Sequence, residues 1–203
     1  MDAKRLLFIS FFLFFQGTST QKVILIFGDS ITAGYGLSPD QAYPAILNKK
    51  LIDLHKNYKV IGSGVSGETS TGGLSRIDWV LRQPVDIFIV ELGANDGLRG
   101  LPLEETQKNL QAIIDKVKIK YPAAKIVVAG MMVPPNMGPA YADKFKKIFP
   151  DLAKRNNAAL IPFLLQGVAG DEKLNQADGI HPTAAGHKIL AENVYKTIMP
   201  LLN

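Results

Sequence analysis

Residues Ile26–Gly36 read IFGDSITAGYG. An apolar run stops at Gly28, Asp29 and Ser30, and small residues and Tyr35 follow. A hydroxyl placed where a buried strand ends has two readings. Serine at such a junction commonly caps a helix. It is also where a nucleophile would stand at the carboxyl edge of a sheet. Both readings of Ser30 stay open until the rest of the chain is considered.

Outward from this stretch, five apolar runs stand out: KVILIF (22–27), YKVIGS (58–63), VDIFIVEL (85–92), KIVVAGMMV (125–133) and AALIPFLL (158–165). They are nearly continuous rather than alternating, which suits strands covered on both faces of a parallel sheet. Segments with helical spacing lie between them. LPLEETQKNLQAIIDKVKIK places Leu103, Leu110, Ile113 or Ile114, and Val117 on one face. YADKFKKIFPDLAKRN does the same with Phe145, Ile148 and Leu152, and Pro150 is expected to kink or divide it. Trp79 is expected to pack on a helix. Strand and helix alternate throughout, which predicts one three-layer α/β domain without repeats or linkers.

The first residues are of another kind. MDAKRLLFISFFLFFQGTSTQK opens with Lys4 and Arg5, continues through an apolar segment at Leu6–Phe15, and reaches small residues at Gly17–Thr20. That order predicts a secretory signal over residues 1–20, ahead of a domain at 21–203. The apolar segment is short for a bilayer span, so no stable membrane anchor is expected. The product would be exported, either periplasmic or secreted. The chain has no cysteine. This excludes a thiol nucleophile and a lipid-modified cysteine anchor, and leaves stability to the core alone. The net charge of +5 is spread among acids with no dense basic tract, so no nucleic-acid partner is expected. A monomer is favoured.

In an open parallel sheet, ligands bind beyond the carboxyl ends of the strands. The segments there read GDS, GVSGETS, GANDG and PPNMGP, with ADGIHP before the last helical segment. Acyl transfer needs a nucleophile, a base, a group that orients the base, and donors for the oxyanion. Of three histidines, His55 sits at the polar end of a short helix, where it is read as solvated, and His187 lies inside the final helix, as a packing or surface residue. His181 lies in a loop, three residues after Asp178. At that spacing Asp178 can accept one ring N–H and leave the other nitrogen facing Ser30. The competing reading makes Asp178-Gly179 a plain turn. Ser66, in GVSGE, approaches a nucleophile-elbow pattern but has Glu68 where the last glycine belongs. Gly67 offers close backbone approach, and Asn95 offers a neutral amide donor; each is also readable as a simple turn residue. His181 and His187 are too few for a metal site, and the Asp178–His181 spacing lacks two further ligands, so no metal or cofactor is expected.

FGDSITAGYG, SGETS, LGANDGLRG and DGIHP together resemble the four sequence blocks of the GDSL, or SGNH, hydrolases. The resemblance runs from about Val23 to the end and is similar to the exported branch with thioesterase, arylesterase and lysophospholipase activities. It implies a flavodoxin-like five-stranded parallel sheet of order 2-1-3-4-5. It implies Ser30, Asp178 and His181 as the catalytic triad, and Ser30, Gly67 and Asn95 as the oxyanion hole. Asp29 and Asp96 are then structural hydrogen-bonding residues. Ile31 stands where the signature often has leucine, and Glu68 where near relatives have aspartate. The expected partner is a small acyl ester or thioester, lipid-like or aryl. Met132, Val133, Pro134, Pro135 and Leu98 are the candidate substrate-binding residues, with the alternative that Met131–Val133 only complete the fourth strand. A carbohydrate O-acetyl esterase and a non-catalytic binding module on the same fold are the alternatives.

Overall fold

The computed structural model describes residues 20–202. The expected signal therefore lies outside the described residues, apart from Thr20. Five parallel strands, β1 (Lys22–Gly28), β2 (Tyr58–Gly64), β3 (Ile87–Glu91), β4 (Lys125–Ala129) and β5 (Ala159–Ile161), form one sheet in the order β2-β1-β3-β4-β5. Ile24, Leu25, Ile26 and Phe27 of β1 are all buried. A central strand covered on both faces requires such an unbroken apolar run. The side chains each contribute about 1.5–3 kcal/mol.

Among the described residues, seven α-helices join and cover the strands: α1 (Ser30–Ala33), α2 (Tyr43–Asp53), α3 (Ser70–Val80), α4 (Ala94–Leu98), α5 (Leu103–Lys120), α6 (Pro139–Asn156) and α7 (Ala184–Ile198). In α5 the buried positions are Leu103, Thr106, Leu110, Ile113, Ile114 and Val117, the expected stripe with one threonine added. The division expected at Pro150 does not occur: α6 runs through it. An interior proline costs about 3 kcal/mol. Phe145, Ile148, Phe149 and Leu152 are buried on both sides of it, and at about 1.5–3 kcal/mol each they outweigh that cost.

β4 ends four residues before its apolar run does. Met131–Val133 thus do not complete the strand. Trp79 lies on α3 but is 67% exposed, so it packs little against any helix. Among the described residues, no helix is long and apolar enough to cross a membrane.

The register positions the chemistry. Gly28 pairs with Gly64 on one side and with Glu91 on the other. Three strands therefore end level, and the loops after them start from one edge.

Candidate active site

Asp29, not Ser30, caps α1. Its Oδ1 accepts the Ile31 N–H at 3.0 Å. That satisfies an otherwise unpaired donor of the first turn and leaves the Ser30 hydroxyl for another partner. That partner is His181, whose Nε2 lies 2.9 Å from Ser30 Oγ. The opposite ring nitrogen, Nδ1, is 2.7 Å from Asp178 Oδ2. With Nδ1–H donating to Asp178, Nε2 is the acceptor for the serine proton.

The turn that holds the imidazole is locked from both ends. Asp178 Oδ1 accepts the N–H groups of Ile180 and His181, at 2.9 and 3.0 Å. These bonds, with the one from the ring, hold the Asp178 carboxyl down at about pKa 2, so it stays ionised as a partner for an imidazolium. Gln176 donates to the carbonyls of Tyr35 and Pro182 at 2.8 and 3.0 Å, joining the Ser30 side to the His181 side. The Tyr35 ring lies against the His181 ring, 4.5 Å between centroids.

Asn95 enters from the other side on α4. Its Nδ2 donates to Asp29 Oδ2 at 3.0 Å and to the Glu68 carbonyl at 3.1 Å. Both amide protons are therefore engaged, and the amide reaches a third acceptor only by sharing or exchanging one of them. Asp29 is buried with no cation bonded to it, and burial pushes its carboxyl up to about pKa 6. Gly67 sits at φ +76°, a conformation that strains any residue with a Cβ. The Arg99 guanidinium donates to its carbonyl at 2.9 Å. Asp96 faces away, accepting from Ser70 N at 2.8 Å, Ser70 Oγ at 2.5 Å and Thr106 Oγ1 at 3.2 Å. It ties α4 to α3 and α5.

A family model for GDSL-like Lipase/Acylhydrolase matches residues 26–189. The chain belongs to the GDSL-like acylhydrolase family. Esterase TesA of Pseudomonas aeruginosa is 40% identical over 182 residues, which are 89% of this chain and 90% of the relative. Thioesterase 1/protease 1/lysophospholipase L1 of Escherichia coli K12 is 36% identical over 181 residues, 89% of this chain and 85% of the relative. The solved structure of the psychrotrophic esterase EstA from Pseudoalteromonas superposes with a TM-score of 0.83 at 34% identity, covering 89% of this chain and 98% of that one. The chain is an ester hydrolase with the sheet order of this family.

The remaining candidates separate within this acylhydrolase. Ser66 is exposed, and none of the three histidines is bonded to it. His187 is a buried packing residue whose Nδ1 accepts the Tyr43 N–H at 3.0 Å, and His55 is exposed. Of the expected substrate-binding residues, Leu98 and Met132 are 37% and 38% exposed, and Pro134 is exposed. Val133 is only 7% exposed, and it packs over Gly97 with Phe145 as part of the core. For Pro135 only its place in a 3-10 turn at Pro135–Met137 is described. The longer carboxylate at position 68 has a partner: Arg76 grips Glu68 through Nε at 2.6 Å and Nη2 at 2.5 Å, and also bonds Ser63 and Gly28 O. The sequence assigned no role to Tyr35, Gln176 or Arg76: the Gln176–Tyr35 bond joins segments 141 positions apart, and the pairing of Arg76 with Glu68 depends on how α3 turns back on the loop before it.

Proposed function

We propose that this esterase works through an acyl-enzyme formed on Ser30. His181 takes the Ser30 proton as Oγ attacks the acyl carbonyl, and then gives it to the departing alcohol or thiol. Water repeats both steps on the acyl-enzyme. Asp178 holds the ring tautomer and stabilises its charged form. The N–H groups of Ser30 and Gly67 and the amide of Asn95 receive the oxyanion. The observation that carries this reading is the line Ser30 Oγ–His181–Asp178, at 2.9 and 2.7 Å.

The substrate reading is an aryl or lipid-like acyl ester or thioester. Its support is the exposed apolar pair Leu98, at the end of α4, and Met132, in the segment after β4, a surface suited to acyl chains rather than sugars. The relatives named esterase, thioesterase and lysophospholipase point the same way. Export is part of the proposal and rests on the basic and apolar opening at Lys4–Phe15.

Ser30→Ala tests the mechanism. Nitrophenyl esters from acetyl to palmitoyl, an acyl-CoA and a lysophospholipid are assayed with parent and variant. Hydrolysis is expected to fall by more than about 10³-fold on every substrate the parent cleaves. Unchanged turnover in Ser30→Ala would overturn the assignment and move it to Ser66.

A further inference from the structure

Behind the Ser30 turn lies a carboxyl group that the proposed chemistry does not use. Glu91 ends β3 and is 0% exposed. Its Oε2 accepts the Asp29 N–H at 3.2 Å and the Thr32 hydroxyl at 2.6 Å. Residues 29 and 32 flank Ser30, so one oxygen grips the turn on both sides of the proposed nucleophile. Thr32 Oγ1 lies 2.7 Å from Tyr43 OH. Since the threonine proton goes to Glu91, Tyr43 is the donor in that pair.

The other oxygen, Oε1, is buried without a hydrogen-bond partner. No lysine or arginine among the described residues forms an ion pair with Glu91. The charged and titratable groups around it do not supply a counterion. Asp29 faces it from the end of β1, and Tyr43 from α2. Arg76 on α3 is matched by Glu68, His181 is matched by Asp178, and His187 on α7 meets Tyr43 rather than Glu91. An unpaired buried carboxylate costs far more than an unpaired neutral hydroxyl. Oε2, with two donors, has the bonding of a carbonyl oxygen, and Oε1 is left to carry the proton.

We infer that Glu91 is a neutral carboxylic acid and a positioning residue, clamping the Ser30 turn onto β3. Burial and the nearby Asp29 both push the Glu91 carboxyl well above its ordinary range. β3 also leads directly into Asn95, four residues on. The clamp therefore sets the nucleophile turn and the amide donor relative to one strand end. This inference rests on the acyl-enzyme reading.

Glu91→Gln keeps the accepting oxygen and the shape but carries no charge. It is expected to hold kcat within about threefold of the parent, with the acid limb of kcat/KM superimposed on the parent's. If Glu91 were ionised, removing its negative charge from behind the site would move the acid limb to lower pH, which would overturn the inference. Glu91→Ala leaves the Asp29 N–H without an acceptor and frees Thr32 from β3; kcat is expected to fall more than about tenfold at similar KM. Full activity in that variant would overturn the positioning role.

Stability supplies a readout free of activity, for use if Glu91→Ala does not fold. Above pH 4.5, the ordinary value, the unfolded parent sheds the Glu91 proton while the folded parent keeps it. The parent's folding constant, relative to Glu91→Gln, should then fall about tenfold per pH unit. Urea unfolding between pH 5 and 6.5 measures this, and a flat ratio would overturn the inference. Failure of the acyl-enzyme reading shows separately, as Ser30-independent hydrolysis.

Discussion

Ser30 Oγ and His181 Nε2 are 2.9 Å apart in space and 151 positions apart in the chain. Nothing local to either residue creates the contact. Ser30 is fixed by the end of β1, where Asp29 takes over the capping role. His181 is fixed by the Asp178 turn, and Gln176 bonds that region to the Tyr35 carbonyl. The imidazole is thus delivered to a hydroxyl whose own helix makes no use of it.

Asn95→Ala removes the proposed side-chain donor to the oxyanion. kcat should drop by about 10²–10³, with a smaller change in KM. The bonds from Asn95 to Asp29 and Glu68 are lost as well, which should cost about 1–2 kcal/mol of stability. Steady-state kinetics on a nitrophenyl ester, with urea unfolding alongside, measures both. Turnover equal to the parent's would remove Asn95 from the mechanism.

His187 contributes a pH dependence opposite in sign to that of Glu91. Burial, aided by His181, lowers its pKa from 6.5 to about 4. Between these values the unfolded chain binds a proton that the folded chain resists, so stability is lost as pH falls. Over that window the loss is up to about 3 kcal/mol. His187→Gln keeps an acceptor for the Tyr43 N–H and should abolish this slope. Chemical denaturation at pH 4, 5 and 7 compares the two proteins, and an unaltered slope in the variant would contradict the argument.

Gly64→Ala tests how closely the Ser30 turn is seated. A Cβ at Gly64 would collide with the Ala33 amide and the Asp29 carbonyl, both backbone atoms unable to rotate away. The expected loss is about 3 kcal/mol, at the upper end of ordinary overpacking, together with reduced kcat because the turn must shift. A variant as stable and active as the parent would show that the turn yields freely.

Much of this protein was legible along the chain. The nearly continuous apolar runs at 22–27 and 85–92 announced doubly covered strands, because burial on both faces leaves few polar positions to alternate. The stripe on α5 announced its buried face for a similar reason. Strand–helix alternation implied the layered domain, while the sheet order came from the resemblance of the four blocks to a known family. Those blocks also single out Ser30, Gly67, Asn95, Asp178 and His181.

Other features became visible only in three dimensions. Ser30 and Asp29 are both good caps on paper, and the choice of Asp29 follows from the competing partner, His181. Val133 and Met132 look alike in sequence, yet Gly97 and Phe145 bury the first and not the second. Glu91 reads as a polar end to an apolar strand, and its burial is dictated by Asp29 and Thr32, about 60 residues away. The division has one physical cause. Burial of an element writes a repeating pattern into adjacent residues, whereas the partner of a single polar atom is chosen by whichever distant segment the packed layers bring within about 3 Å.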